Sequence, residues 1–256
     1  MKSIAIIPAR MASTRFPGKP LALLHGLPMI EHVRRRVALS PLFSAVVVAT
    51  CDDEIADVVR KSGGQVAMTA DTHERCTDRI AEAAAGLEGD IIVNVQGDEP
   101  LVRPEMLEPL VRTLQEDDTI PCSNLMVEIQ TDADFKSSNV VKTVVDGQLN
   151  ALYFSREPIP TAAKSDVRTP RFQQLGIIAF RRDFLFTFGE LEPTPLEVAE
   201  SVDMLRAVEH GYTVRMVPCP FKSIGVDVPG DMARAEALLD EDDLLQVYAS
   251  GLEGEG

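Results

Sequence analysis

Three cations, Arg10, Arg15 and Lys19, follow directly on a short apolar run, Ile4-Ala5-Ile6-Ile7, that Pro8 ends. Pro17-Gly18, a turn pair, stands just before Lys19. Cationic side chains gathered on one loop at a strand end suit a polyanion, above all a nucleoside triphosphate. The loop is neither a GxxxxGK(S/T) phosphate loop nor a GxGxxG dinucleotide turn, so side chains must do most of the holding. A solvated turn is the competing reading, and placement straight after a strand weighs against it. A second chemistry is offered by Asp98 in Gln96-Gly97-Asp98-Glu99-Pro100 and Asp227 in Ser223-Ile224-Gly225-Val226-Asp227. Carboxylates at strand ends suit Mg²⁺, which takes one or two of them together with phosphate oxygens. Gly-Asp before Pro is equally an ordinary turn. Thr77, Asp78 and Arg79 open a helix, either as a simple cap or as ligand contacts. Lys142, Tyr153, Ser155 and Arg156 default to the surface, and the four histidines show no ligand spacing.

These residues need a frame that brings strand ends together. Ile4–Ile7, Ala45–Thr50, Gln65–Met68 and Asp90–Val95 read as strands, apolar on both faces. Helical patterns separate them: Met29, Ile30, Val33 and Val37 with Arg34, Arg35 and Arg36 on the other side, then Glu54–Lys61 stopped by Gly63-Gly64, then Arg79–Leu87. This alternation predicts an α/β, Rossmann-like fold: a mainly parallel sheet with helices on both faces, whose ligands bind outside the carboxyl ends of the strands. The second half predicts strands at Val140–Val145, Ala151–Phe154, Leu175–Phe180 and Thr213–Val217, the first two joined through Asp146-Gly147, and a helix over Glu197–Glu209. One domain over 1–256 is expected, with a smaller β-rich lobe at about 122–180 and an acidic tail at about 240–256.

A net charge of −15 argues against nucleic acid or an anionic membrane as a general partner. No apolar run approaches a membrane span, no signal pattern opens the chain, and four dispersed cysteines suggest neither a zinc site nor a disulfide framework. A cytoplasmic protein with reduced thiols is expected.

Several blocks, in order, resemble the CTP-dependent sugar-acid cytidylyltransferases, most closely those acting on 3-deoxy-manno-octulosonate (Kdo). They are Ile6–Arg10 through Pro20-Leu21, Gly26 with Pro28-Met29-Ile30, Val48-Ala49-Thr50, Asn94–Pro100, Ala151–Arg156 with Ile159-Pro160, and Gly225-Val226-Asp227 with Pro229. The resemblance implies a nucleotide-diphospho-sugar transferase (GT-A-like) fold and a homodimer paired through the lobe, which also caps the acceptor site. It further implies that CTP donates a CMP group to a Kdo-type 3-deoxy-2-ulosonic acid, releasing pyrophosphate, in cell-envelope lipopolysaccharide synthesis. Arg10, Arg15 and Lys19 would clamp the triphosphate and Asp98 and Asp227 would hold Mg²⁺. Pro8, Ala9, Arg10, Lys19, Thr77, Arg79 and Gln96 would bind the nucleotide. Arg156, Gln174, Ile178, Glu200, Asp203 and Met204 would face the acceptor. Relatives often carry Ser-Gly-Thr at Arg75-Cys76-Thr77, His-Leu-Gly-Ile-Tyr at Gln174–Ile178 and Glu-Gln-Leu-Arg at Asp203–Arg206. The triphosphate and metal residues are intact, while these departures fall where relatives form the nucleotide edge or the acceptor pocket. The same transfer to 8-amino-Kdo, another acid sugar or a small anionic acceptor therefore stays open, as does a GT-A-type glycosyltransferase.

Overall fold

The computed structural model describes residues 1–13, 15–73, 75–161, 169–221 and 225–249. Thr14 of the cation loop, Ser223 and Ile224 ahead of Gly225, and the tail beyond Ala249 lie outside them. The chain divides into two compact units, Met1–Glu108 with Ser223–Gly256, and Pro109–Lys222.

In the first unit, strands β1 (Ser3–Pro8), β4 (Phe43–Thr50), β5 (Gln65–Met68) and β6 (Ile91–Val95) alternate with helices α1 (Met29–Ala38), α2 (Asp53–Lys61) and α3 (Cys76–Ala85). A two-stranded hairpin, β2 (Leu23–Leu24) and β3 (Leu27–Pro28), precedes α1. The strands pair in parallel in the order β6-β1-β4-β5. Every residue of β1 and β6 is buried, as their two-sided apolar sequences require. The chain therefore leaves neighbouring strands at one sheet edge, and the loops after β1, β4 and β6 meet there. Helix α4 (Pro104–Glu116) runs across the unit boundary.

Two features of this unit depart from the sequence reading. Arg36 is not on a solvated helix face: it is fully buried, donating from Nε to the Val102 carbonyl (2.7 Å) and pairing through Nη2 with Asp242. Arg34 and Arg35 fold back onto Glu31, itself buried. The start of the acidic tail is structure as well: α9 (Asp231–Asp240) and α10 (Leu245–Ala249) bring Asp242 to Arg36 and Arg103, and the Tyr248 hydroxyl to His32 Nδ1 at 2.8 Å. A guanidinium at that depth needs a carboxylate, and the partner lies more than two hundred residues away, beyond the reach of periodicity.

The second unit holds β7 (Cys122–Glu128), α5 (Asp132–Lys136), β8 (Lys142–Val145), β9 (Ala151–Ser155), β10 (Phe172–Arg181), α6 (Arg182–Glu190), α7 (Pro195–Glu200), α8 (Met204–Glu209) and β11 (Val214–Pro218). β11 runs parallel to β7, while β7 with β10, β10 with β8, and β8 with β9 are antiparallel. Asp146 closes the β8–β9 turn by accepting from the Gln148 and Asn150 amides, both at 2.8 Å. The helix expected over 197–209 is broken in two. Ser201 sits in the left-handed region (φ 52°), and the buried Glu197 carboxylate turns back to Arg206 at 2.8 and 2.6 Å. Satisfying that ion pair at depth outweighs an unbroken helical ladder.

Candidate active site

Pro8, Ala9, Arg10, Ser13, Arg15, Lys19, His73, Arg75, Cys76, Arg79, Gln96, Gly97, Asp98 and Asp227 line one open pocket of the first unit. Its floor is the close passage of two strand exits. A Cβ on Gly97 would stand 2.8 Å from the Pro8 carbonyl oxygen, so the approach requires glycine. On the cation loop, Gly18 adopts φ 74°, and its amide closes the loop on the Met11 carbonyl at 3.1 Å.

The three loop cations differ in state. Arg10 is exposed and has no ion-pair or hydrogen-bond partner among the described residues. Arg15 donates to Asp227 at 2.9 Å. Lys19, the most sheltered, lies 2.5 Å from Asp98 and 3.9 Å from Asp227. The two aspartates, far apart in sequence, thus converge on one ammonium. Three bonds place them: Val226 N–H donates to the Asp98 carbonyl (2.9 Å), and Asp231 Oδ2 accepts from the amides of Asp227 (2.8 Å) and Val228 (3.0 Å).

At the rim, α3 begins beside the pocket. Thr77 is buried in its first turn, and Gln96 is half-buried at the β6 exit. Arg79 lines the pocket but is 3% exposed, and its guanidinium is committed to the Thr69 hydroxyl and the Ala70 carbonyl. It braces Thr69 and Ala70. His73 pairs with Glu82, whose carboxyl is held below its ordinary range by that contact and by the Ala70 amide.

The acceptor candidates lie in the second unit. Glu200 accepts from the Arg156 amide (2.7 Å), the Ser155 hydroxyl (2.9 Å) and the Tyr153 hydroxyl (3.2 Å). Burial pulls its carboxyl upward, yet these bonds outweigh burial and leave it below the usual glutamate range. The Arg156 guanidinium donates to the carbonyls of Glu200, Ser138 and Ser201. Lys142, expected at the surface, is fully buried, its ammonium satisfied by the carbonyls of Ser137, Val140 and Arg156. Gln174 donates to Asn124 Oδ1 at 2.6 Å beside an irregularity in the β7–β10 register. Asp203 is half-buried where α8 begins, Ile178 is buried, and Met204 has no exposed surface. The fold thus joins Arg156 to Glu200 but places Ile178 and Met204 inside the core of that unit.

Ser13, Asp52 and His73 were not singled out as site residues from sequence, and Arg75 entered only as a departure from the relatives. Asp52 was findable: it follows the strand paired with β1, and loops after adjacent parallel strands are neighbours.

A parallel, helix-covered sheet whose exits after β1 and β6 carry Arg10, without a partner among the described residues, and Asp98, with Arg15, Lys19 and Asp227 beside them, suits a nucleotidyltransferase, although Asp227, expected at a strand end, follows no strand among the described residues. Residues 4–217 match the family model described as Cytidylyltransferase. The 3-deoxy-manno-octulosonate cytidylyltransferase of Geobacter metallireducens is 48% identical over 242 residues, 91% of this chain and 95% of that protein. That of Syntrophotalea carbinolica is 46% identical, over 93% of this chain and 99% of its own length. A solved structure of CMP:2-keto-3-deoxy-manno-octonic acid synthetase complexed with CTP superposes with a TM-score of 0.89 at 36% identity, covering 94% of this chain and 99% of that one. The chain belongs to the 3-deoxy-manno-octulosonate cytidylyltransferase family.

Proposed function

We propose that this enzyme transfers the cytidylyl group of CTP to the anomeric hydroxyl of Kdo. The hydroxyl oxygen forms a bond to the α-phosphorus, the bond from that phosphorus to the bridging oxygen of the β-phosphate breaks, and pyrophosphate leaves as the hydroxyl loses its proton. The observation that carries the reading is the strand-exit pocket, where an unpartnered Arg10 stands beside Arg15 and Lys19, together with a CTP-bound relative of the same fold. Arg10 is placed to take a phosphate oxygen without giving up a protein partner. Arg15 and Lys19 would share their carboxylates with the triphosphate and hold the charge that builds on the departing pyrophosphate, where positioned cations contribute most. Pro8, Ala9, Thr77 and Gln96 would border the nucleoside, with Arg79 bracing that side from behind.

The donor set fits Mg²⁺: two hard carboxylates, Asp98 and Asp227, already converge on a single cationic point. When bound, the ion would neutralise triphosphate charge and polarise the α-phosphate. Arg156, with N–H groups left over after its three carbonyls, would meet the acceptor carboxylate. Gln174, Glu200 and Asp203 would orient hydroxyls, with Ile178 and Met204 as apolar backing. The lobe carries exposed Leu152, which suits pairing of two copies, and sedimentation velocity at micromolar concentration tests this. Pyrophosphate release on mixing with CTP, Mg²⁺ and a panel of acid sugars, fastest with Kdo, is the expected result. No release with any acceptor, alongside sugar transfer from preformed CMP-Kdo, refutes the proposal.

A further inference from the structure

We infer that Asp52 is a positioning residue that presets Arg10 for the nucleotide. Asp52 occupies the N-cap position of α2, yet its side chain caps none of that helix's amides. Its Oδ2 instead accepts the Met11 amide at 2.8 Å, across forty-one positions of sequence. The Met11 carbonyl is committed as well, accepting from Ser13 N–H (2.9 Å) and Gly18 N–H (3.1 Å). On the other side of Arg10, Ala9 N–H donates to the Ala49 carbonyl at 2.9 Å. Arg10 is therefore held at both flanking residues by β4 and the turn that follows it, while its own side chain has no partner among the described residues.

Backbone hydrogen-bonded on both sides of an unpartnered guanidinium favours anion binding, because the ordering cost of residues 9–11 is met in folding rather than on binding. Electrostatics alone would assign Asp52 the opposite effect. A carboxylate beside a polyanion site repels the ligand, so removing it should tighten binding. Geometry and charge thus predict opposite signs, which makes the inference testable.

It rests on the CTP reading, and the experiment separates the two. KM for CTP and kcat are measured for wild type, Asp52→Ala, Asp52→Asn and Arg10→Ala, with melting temperatures without ligand. Asn keeps an oxygen for the Met11 amide and drops the charge. Asp52→Ala is expected to raise KM for CTP about tenfold with kcat within about twofold, and Asp52→Asn to restore KM to within about threefold of wild type. Unchanged or lower KM in Asp52→Ala, with Arg10→Ala impaired, overturns the inference and leaves the CTP reading intact. Equal impairment of Ala and Asn, with kcat and melting temperature falling together, also overturns it, since that is plain structural damage. If the wild type releases no pyrophosphate from CTP, the CTP reading itself fails; if it does and Arg10→Ala leaves both KM and kcat unchanged, the inference is overturned while the CTP reading stands. Should Asp52→Ala not fold, Asp52→Glu keeps the charge but displaces the oxygen by a methylene. A raised KM is expected there, and an unchanged one overturns the inference.

Discussion

Replacing Arg10 by alanine is the perturbation that best separates binding from folding. Buried and half-buried arginines of this fold hold something in place: Arg36, Arg79, Arg181 and Arg206 all donate to protein groups. Arg10 is exposed and holds nothing among the described residues, so truncation orphans no carboxylate and opens no cavity. Its cost to folding should stay within about 0.5 kcal/mol, the ordinary range for a surface change. Its cost to the reaction should be that of a hydrogen bond to a charged phosphate, about 1.5–3 kcal/mol, which lowers kcat/KM about 10- to 150-fold. The assay is coupled pyrophosphate release at varied CTP and saturating Kdo, paired with a ligand-free thermal melt. Lys19→Ala supplies the contrast, because Lys19 already neutralises Asp98 and Asp227. That variant should lose activity and also shift the melt. If Arg10→Ala melts several degrees lower, or keeps kcat/KM within about twofold, the assignment of a free receptor is wrong.

Three further outcomes follow from other parts of the molecule. Asp98→Asn should lower turnover by at least about 100-fold while the fold persists. Mg²⁺ should then lose its effect on the melting temperature of the CTP complex, and near-full activity at ordinary Mg²⁺ would remove Asp98 from the ion. Asp242→Ala strips a buried carboxylate from both Arg36 and Arg103 and should cost about 3–5 kcal/mol in urea unfolding. Burial raises the Asp242 carboxyl, but the Leu244 amide and Arg36 outweigh it and hold it low. Its contribution is therefore complete above the unfolded-chain value near pH ~4 and is lost as pH falls through the depressed folded value; wild type and variant should converge in acid. Glu200→Ala leaves three donors without their acceptor and should cost about 1–3 kcal/mol. Glu200→Gln should recover part of this, and equal losses in the two variants would show that the carbonyl oxygen does not matter.

Strands β1 and β6 and the end of β4 were legible because a strand buried on both faces must be apolar throughout, whereas β5 at the sheet edge has no buried residue. The cation loop and the Gln96–Pro100 turn stood out by their place after such strands, although a solvated turn explained each equally well from sequence; the structure brings both to one pocket. The split of 197–209 was not, because the Glu197–Arg206 pair that breaks the helix at Ser201 looks like ordinary helical surface in sequence. Arg36 and Lys142 were misplaced for the same reason. A buried cation reads like an exposed one until its carbonyls and carboxylates are seen. Helix α4 and strand β7 were not read from the pattern at all.

Local order along the chain is thus enough for the α/β class, and a series of short blocks in order, from Ile6 to Pro229, for the family. Which cation is free to bind, and what holds it, depends on groups that meet only across the sheet. Asp227 and Asp98 take Arg15 and Lys19, Arg10 has no partner among the described residues, and its neighbours Ala9 and Met11 bond to Ala49 and Asp52. Charge pairing and hydrogen bonding act over a few ångströms of space, and only the folded chain brings those partners within that distance.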